Sequence, residues 1–178
     1  SYSSVAMHDG MVVAFRDPKG IRPLEVGKLE AGNVVASETI ALDMLGATDQ
    51  RSVKPGEMVI LTKDGKVESR MLSEGEEKLD IFEFVYFARP DSYLYGENVA
   101  MVRTRLGEEL ALQHPHFADN PNALVVPVPE TAVPIAEGFA KKLGLEYTNS
   151  AIVKNRYVGR TFMLQTQALR TMFLDIKH

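Results

Sequence analysis

Two short stretches carry residue types suited to handling phosphate. Val126-Pro127-Val128-Pro129-Glu130-Thr131 joins an apolar strand candidate, Leu124–Val128, to a helix candidate. The first N–H groups of a helix lack intrahelical partners and sit at the positive end of its dipole, so a phosphate can rest there. Thr131 is placed to cap that helix, and Pro134 is tolerated in its first turn. From the residues alone, an ordinary strand-to-helix turn remains the competing reading. The second stretch is Lys154-Asn155-Arg156-Tyr157-Val158-Gly159-Arg160-Thr161, with three cations and a glycine in eight residues. Residues 154–178 hold five Lys or Arg against one Asp. Such a loop can close on a polyphosphate through Arg forks. A solvated basic loop, or a nucleic-acid contact, is equally compatible with it.

Other polar motifs read more plainly. Arg89-Pro90-Asp91-Ser92 is a turn, and Phe15-Arg16-Asp17-Pro18 with Gly20–Leu24 reads as an Arg–Asp pair stiffening a hairpin. The histidines at 8, 114, 116 and 178 have no metal-ligand spacing. The chain has no cysteine, which excludes disulfides, thiolate metal sites and a cysteine nucleophile. It has no phosphate-binding Walker loop, dinucleotide fingerprint or serine-nucleophile elbow. A net charge of −4 over 178 residues argues against nucleic acid as the main partner. No apolar run reaches the length of a membrane span and no leader pattern opens the chain, so a soluble cytoplasmic protein is expected.

Positioning these motifs requires an α/β chain. Its first part reads as β-rich, with apolar runs at Met11–Phe15 and Gly32–Ser37. Asp64-Gly65 lies between Met58–Thr62 and Lys66–Met71 as in a hairpin. A short helix is expected near Thr39–Leu45, capped by Ser37, Glu38 or Thr39 and stopped by Gly46. The acidic stretch Ser73–Asp80 reads as a domain boundary. Ile81–Ala88 then reads as a buried strand, and Val99, Val102, Leu106 and Leu110 as the apolar face of a helix. Ile135, Phe139 and Leu143 mark another helix, ended by Gly144. Helix, strand and helix in this order imply α/β layers with a parallel sheet.

Taken together, Phe15–Pro18, Gly20–Leu24, Ala36–Glu38, Pro55–Glu57, Val85–Ser92, Pro127–Thr131 and Lys154–Phe162 resemble the amidophosphoribosyltransferase family in order and spacing. The resemblance covers roughly residues 2–170. It implies an N-terminal-nucleophile glutaminase remnant of α+β type at residues 1–78, followed by the start of a type I phosphoribosyltransferase α/β domain at 79–178. The implied reaction is that of the first committed step of purine synthesis, from glutamine, phosphoribosyl pyrophosphate (PRPP) and water to 5-phosphoribosylamine, glutamate and pyrophosphate. Glu130 and Thr131 then resemble the pyrophosphate loop, with Thr131 beside a Mg²⁺ bound with PRPP. Lys154, Arg156, Tyr157, Gly159 and Arg160 resemble a loop that closes over PRPP. Tyr86, Tyr157 and Met163 resemble the lining of an ammonia path. The family's cysteine nucleophile is absent, so no catalytic residue is assigned and the chain is expected to be a partial sequence, inactive alone. Asp80 stands where some members have a cysteine for an iron–sulfur cluster, so no such cluster is expected. Homo-oligomers are implied by the resemblance. Residues Thr171–His178 do not match the continuation expected of the family, and Lys154–Gln165 is expected to be mobile in the free chain.

Overall fold

A computed structural model describes residues 1–177 of the chain. They form two compact units, Ser1–Val99 and a second beginning at Ala100.

In the first unit β1 (Ser3–His8), β2 (Met11–Arg16), β6 (Glu57–Leu61) and β7 (Val67–Met71) make an antiparallel sheet in the order β1-β2-β6-β7. A second antiparallel sheet has the order β4-β3-β5, from β3 (Glu25–Leu29), β4 (Gly32–Ala36) and β5 (Thr48–Ser52). Side chains alternate across a strand, and β6 follows that rule with Glu57, Val59 and Leu61 all turned inward. Ala14, Val59 and Leu61 from one sheet meet Leu24, Val26 and Val53 in a single apolar core. The hairpin expected at Asp64-Gly65 is present, with Gly65 at φ +80° and Leu61 opposite Val67. Asp9-Gly10 makes a second two-residue turn, both residues at positive φ, between His8 and Met11.

The short helix is α1 (Thr39–Met44), followed by Gly46 at φ +69°. Its expected side-chain cap is not made. Glu38 Oε2 instead accepts Arg89 N–H at 2.9 Å and Ser92 Oγ–H at 2.6 Å, and Thr39 Oγ1 accepts Tyr93 N–H at 2.9 Å. The capping oxygens are thus committed to holding the turn that follows Ala88.

One further expectation changes. Ile81–Ala88 is not a strand: Glu83–Phe87 is a π-helical turn. Its apolar residues do not share one environment, since Phe84 and Ala88 are buried while Ile81, Phe82, Tyr86 and Phe87 face out. That division fits one turn of helix rather than a strand with both faces covered. Within the first unit, the acidic stretch Ser73–Asp80 is bonded to the turn at Pro18 and Lys19. Glu76 N–H donates to Pro18 O at 2.9 Å and Lys78 N–H to Lys19 O at 2.8 Å. β8 (Tyr93–Leu94) and β9 (Glu97–Asn98) close the unit as a small hairpin.

The second unit is built on α2 (Val99–Gln113) and α3 (Val133–Leu143). The buried stripe of α2 is Val99, Arg103, Gly107 and Ala111, four residues apart, not the expected Val99, Val102, Leu106 and Leu110. Close helix approach explains the difference. A Cβ on Gly107 would lie 1.9 Å from Ile135 O, and one on Gly138 would lie 2.1 Å from Thr104 O. The two helices therefore cross where each lacks a side chain. β10 (Leu124–Val125) pairs in parallel with β11 (Glu146–Tyr147), with α3 between them in sequence. Gly144 ends α3 at φ +69°, as its position predicts. A last helix, α4 (Gln167–Asp175), has Thr166 as its N-cap, accepting Leu169 N–H. The mixed α/β class read from the sequence holds. Among the described residues, no helix is long and apolar enough to cross a membrane.

Candidate functional site

The expected phosphate loop leaves β10 at Val125 and enters α3 at Val133. Pro127 is buried, Glu130 is exposed and Thr131 is half-buried. The Pro129–Glu130 peptide is cis. Thr131 does not cap α3: the N-cap is Ala132, already in helical conformation, and it makes no side-chain cap. Nor is every first-turn donor open. Pro134 has no N–H, and Val133 N–H reaches Glu130 O at 3.3 Å. The helix start therefore offers fewer donors than its sequence implies, although its dipole is unchanged.

The fold brings the basic stretch to this loop at one point. Lys154 Nζ lies 4.0 Å from Glu130 Oε2, both side chains being partly exposed. Beyond Lys154 the chain turns, with Val158 N–H donating to Asn155 O at 3.2 Å. Val158 and Thr161 are buried, while Arg156, Tyr157, Gly159 and Arg160 are exposed. Tyr157 is 99% exposed, so the fold gives its ring no internal role. Among the described residues, neither the Arg156 nor the Arg160 guanidinium has a hydrogen bond or ion pair. Met163 ends a short 3-10 turn, Thr161–Met163, and is exposed. Tyr86 belongs to the first unit, on the outer side of the π-helical turn, with its ring 5.6 Å from that of Phe87.

The charged motifs of the first unit have internal partners instead. Arg16, 4% exposed, donates to the carbonyls of Gly20, Arg22 and Val53 and pairs with Glu77 at 3.1 Å. The expected Arg–Asp pair is absent, because Asp17 accepts the N–H groups of Tyr2 and Lys19. Glu57 takes two bonds from Arg51, one from Ser69 Oγ and one from Lys54 N–H. Burial pushes the Glu57 carboxyl up, but these donors outweigh it and hold it below the usual carboxylate range. Burial dominates at Glu25 and pushes its carboxyl up, against the Ser52 hydroxyl.

Metal chemistry can be examined in the same terms. Glu130 and Thr131 offer a carboxylate and a hydroxyl side by side, oxygen donors of the kind Mg²⁺ prefers. Among the described residues, no three His, Cys, Asp or Glu gather as a metal site. These two could serve a Mg²⁺ whose remaining ligands were water and phosphate oxygens. Asp80 has no such opening: it lies 3.7 Å from Arg22 and accepts Phe82 N–H at 3.0 Å. Arg22 also bonds Glu83 at 2.5 Å and stacks 4.9 Å over the Phe87 ring. An iron–sulfur cluster finds no thiolate and a position already committed to an ion pair.

Sequence reasoning missed Glu38 and Asn155. The recurrence of Ala36-Ser37-Glu38 together with Arg89-Pro90-Asp91-Ser92 was the available signal for the first, since one motif holds the other.

Comparison with known proteins agrees along the chain. No protein-family model matches it. An amidophosphoribosyltransferase of Synechocystis sp. is 43% identical over 99% of this chain and 35% of its own length. Those of Rhizobium etli and Mycobacterium tuberculosis are each 42% identical, over 99% and 96% of this chain and 36% and 31% of theirs. A solved glutamine PRPP amidotransferase of B. subtilis, complexed with ADP and GMP, superimposes with a TM-score of 0.79 at 38% identity. It is covered over 36% of its length, against 96% of this chain. The chain thus spans about a third of the length of the relatives it matches.

Proposed function

We propose that this chain, homologous to amidophosphoribosyltransferases along nearly all of its length and spanning about a third of theirs, contributes the pyrophosphate-holding part of a PRPP site. The reaction it serves is the conversion of glutamine, PRPP and water into 5-phosphoribosylamine, glutamate and pyrophosphate, the opening step of purine synthesis. Residues 1–78 correspond on this reading to glutaminase and 79–178 to transferase. The working protein is a cytoplasmic homo-oligomer.

The observation that carries the reading is the meeting of Glu130 and Lys154, two motifs 24 positions apart, at 4.0 Å. An exposed ion pair of this kind is worth no more than about 1 kcal/mol. A pyrophosphate can therefore replace Glu130 as the partner of Lys154 at little cost. Arg156 and Arg160, with Gly159 between them, then supply planar donor forks to the remaining oxygens. The α3 dipole adds a modest attraction at the other side. Mg²⁺ held by Thr131, with Glu130 nearby, would neutralise charge on the departing pyrophosphate. Tyr86 in the first unit, and Tyr157 and Met163 in the second, are exposed side chains.

The open Arg156 and Arg160 forks equally fit a second reading, a non-catalytic module that binds PRPP, pyrophosphate or a nucleotide. A calorimetric titration with Mg–pyrophosphate tests the site under both. Binding near about 1 mM, worth about 4 kcal/mol, is expected for the unaltered chain. Lys154→Ala and Thr131→Val should each weaken it. Equal binding by all three proteins would remove the site from these loops.

A further inference from the structure

Asn155 stands where the basic loop meets the end of α4. Its backbone N–H donates to Lys177 O at 2.7 Å, and its side-chain Nδ2 donates to Ile176 O at 3.1 Å. On its other side, Asn155 Oδ1 accepts Tyr157 N–H at 3.0 Å and its backbone O accepts Val158 N–H at 3.2 Å. One residue thus grips the tail with two donors and shapes the loop with two acceptors. A second clasp lies further along, where Arg170 Nε donates to Leu164 O at 2.9 Å. Between the clasps Val158 and Thr161 are buried. A hollow of about 90 Å³ there is lined by Val158, Gly159, Arg160, Thr161, Leu164 and Phe173. Phe173 comes from α4 and the other five residues from the loop side. The helix and the loop therefore share an apolar floor as well as polar fastenings at both ends.

We infer that Asn155 is the joint through which α4 and the basic loop are coupled: docking of α4 fixes the turn that presents Arg156 and Tyr157, and its release frees Lys154–Leu164 to rearrange. The chemistry is specific to an amide. Its nitrogen serves the tail while its oxygen serves the turn, and both contacts require one rotamer. A carboxylate would keep the side-chain bond to the turn and lose the one to the tail. An alanine would lose both side-chain bonds and keep the two made by the backbone. The device goes beyond the proposed phosphate site and would operate in its absence, because none of its contacts involves a ligand. Adjacent Lys154 connects it to Glu130, so a ligand that draws Lys154 away would pull on the same joint.

Native-state hydrogen exchange of the whole chain tests this without any ligand, so failure of the phosphate reading would leave the result intact. Asn155→Ala should quicken exchange at Tyr157, Val158 and the amides of α4 together, by about three- to tenfold, the range expected for a net hydrogen bond. Asn155→Asp, which keeps the acceptor for Tyr157 N–H, should quicken α4 and, through its release, Tyr157 and Val158 by less than Asn155→Ala does. Arg170→Ala, at the far clasp, should quicken Tyr157 and Val158 although it touches neither. Faster exchange at 157–158 with α4 unchanged in Asn155→Ala would overturn the coupling. So would an equal acceleration in α2 and α3, which would make Asn155 a general contributor to stability.

Discussion

Arg16 and Arg156 both lie in charged motifs of the sequence, yet the two units use them oppositely. Arg16 is buried, and its guanidinium is shared among three carbonyls and one carboxylate. Arg156 is exposed, and its guanidinium meets nothing among the described residues. Glu57 and Glu130 repeat the contrast, the first holding four donors and the second one distant lysine. The lesson is that a charged motif does not by itself mark a ligand site. In the first unit such motifs are the internal wiring of the two sheets. In the second, Arg156 and Arg160 are left open among the described residues, and open charge is what a ligand can use.

The sharpest way to break this comparison is to remove one charge from each side. Arg16→Ala should lower the stability of the first unit by about 3 kcal/mol or more, since buried carbonyls lose their donor. Arg156→Ala should stay within about 0.5 kcal/mol of the unaltered chain. Denaturant unfolding followed by near-ultraviolet signals reports both, and similar losses would mean that the two arginines do the same kind of work. A different large effect belongs to packing in the second unit. Gly138→Ala should cost about 1–3 kcal/mol, because the added methyl must push α2 and α3 apart. Unchanged stability would mean that the helices do not cross there.

Acid provides a finer comparison within the first unit. The Glu57 carboxyl is held below its unfolded value, so its contribution is present above the unfolded pKa of about 4.3 and is lost as pH falls through the lower folded value. Glu25 is raised, so its ionised form is disfavoured in the fold and Glu25 opposes folding above that raised value. Glu57→Gln should therefore destabilise the chain at neutral pH and flatten its acid unfolding. Glu25→Gln should stabilise it slightly at neutral pH. Matching pH profiles for the two variants would show that their environments are alike. The smallest expected signal is chemical: glutamine incubated with the purified chain should release no glutamate above a blank, since the thiolate this chemistry calls for in the family is absent.

Much of the fold was legible where local chemistry decides alone. Gly65 and Gly144 mark positions with positive φ, and the chain turns or stops at both. The buried face of α2 was not legible, because Gly107 and Arg103 do not read as core residues. Only the approach of Gly138 from α3 makes Gly107 an interior position. Ile81–Ala88 misled for the opposite reason: apolar composition was visible, but the outward placement of Phe82, Tyr86 and Phe87 was not. At the site, the sequence located both loops correctly in the chain. It could not show that Glu130 O takes up the Val133 N–H at the α3 start, or that Lys154 turns back to Glu130.

The account stands on open charge in the second unit being the ligand-facing charge. Amide chemical shifts recorded while Mg–pyrophosphate is added to the isotopically labelled chain measure this directly. The account predicts shifts concentrated at residues 127–132 and 154–161, following one binding curve, with the signals around Arg16 and Glu57 unmoved. Shifts centred instead on the open cleft at Lys28, Asn33 and Lys63, or none at millimolar ligand, would contradict it.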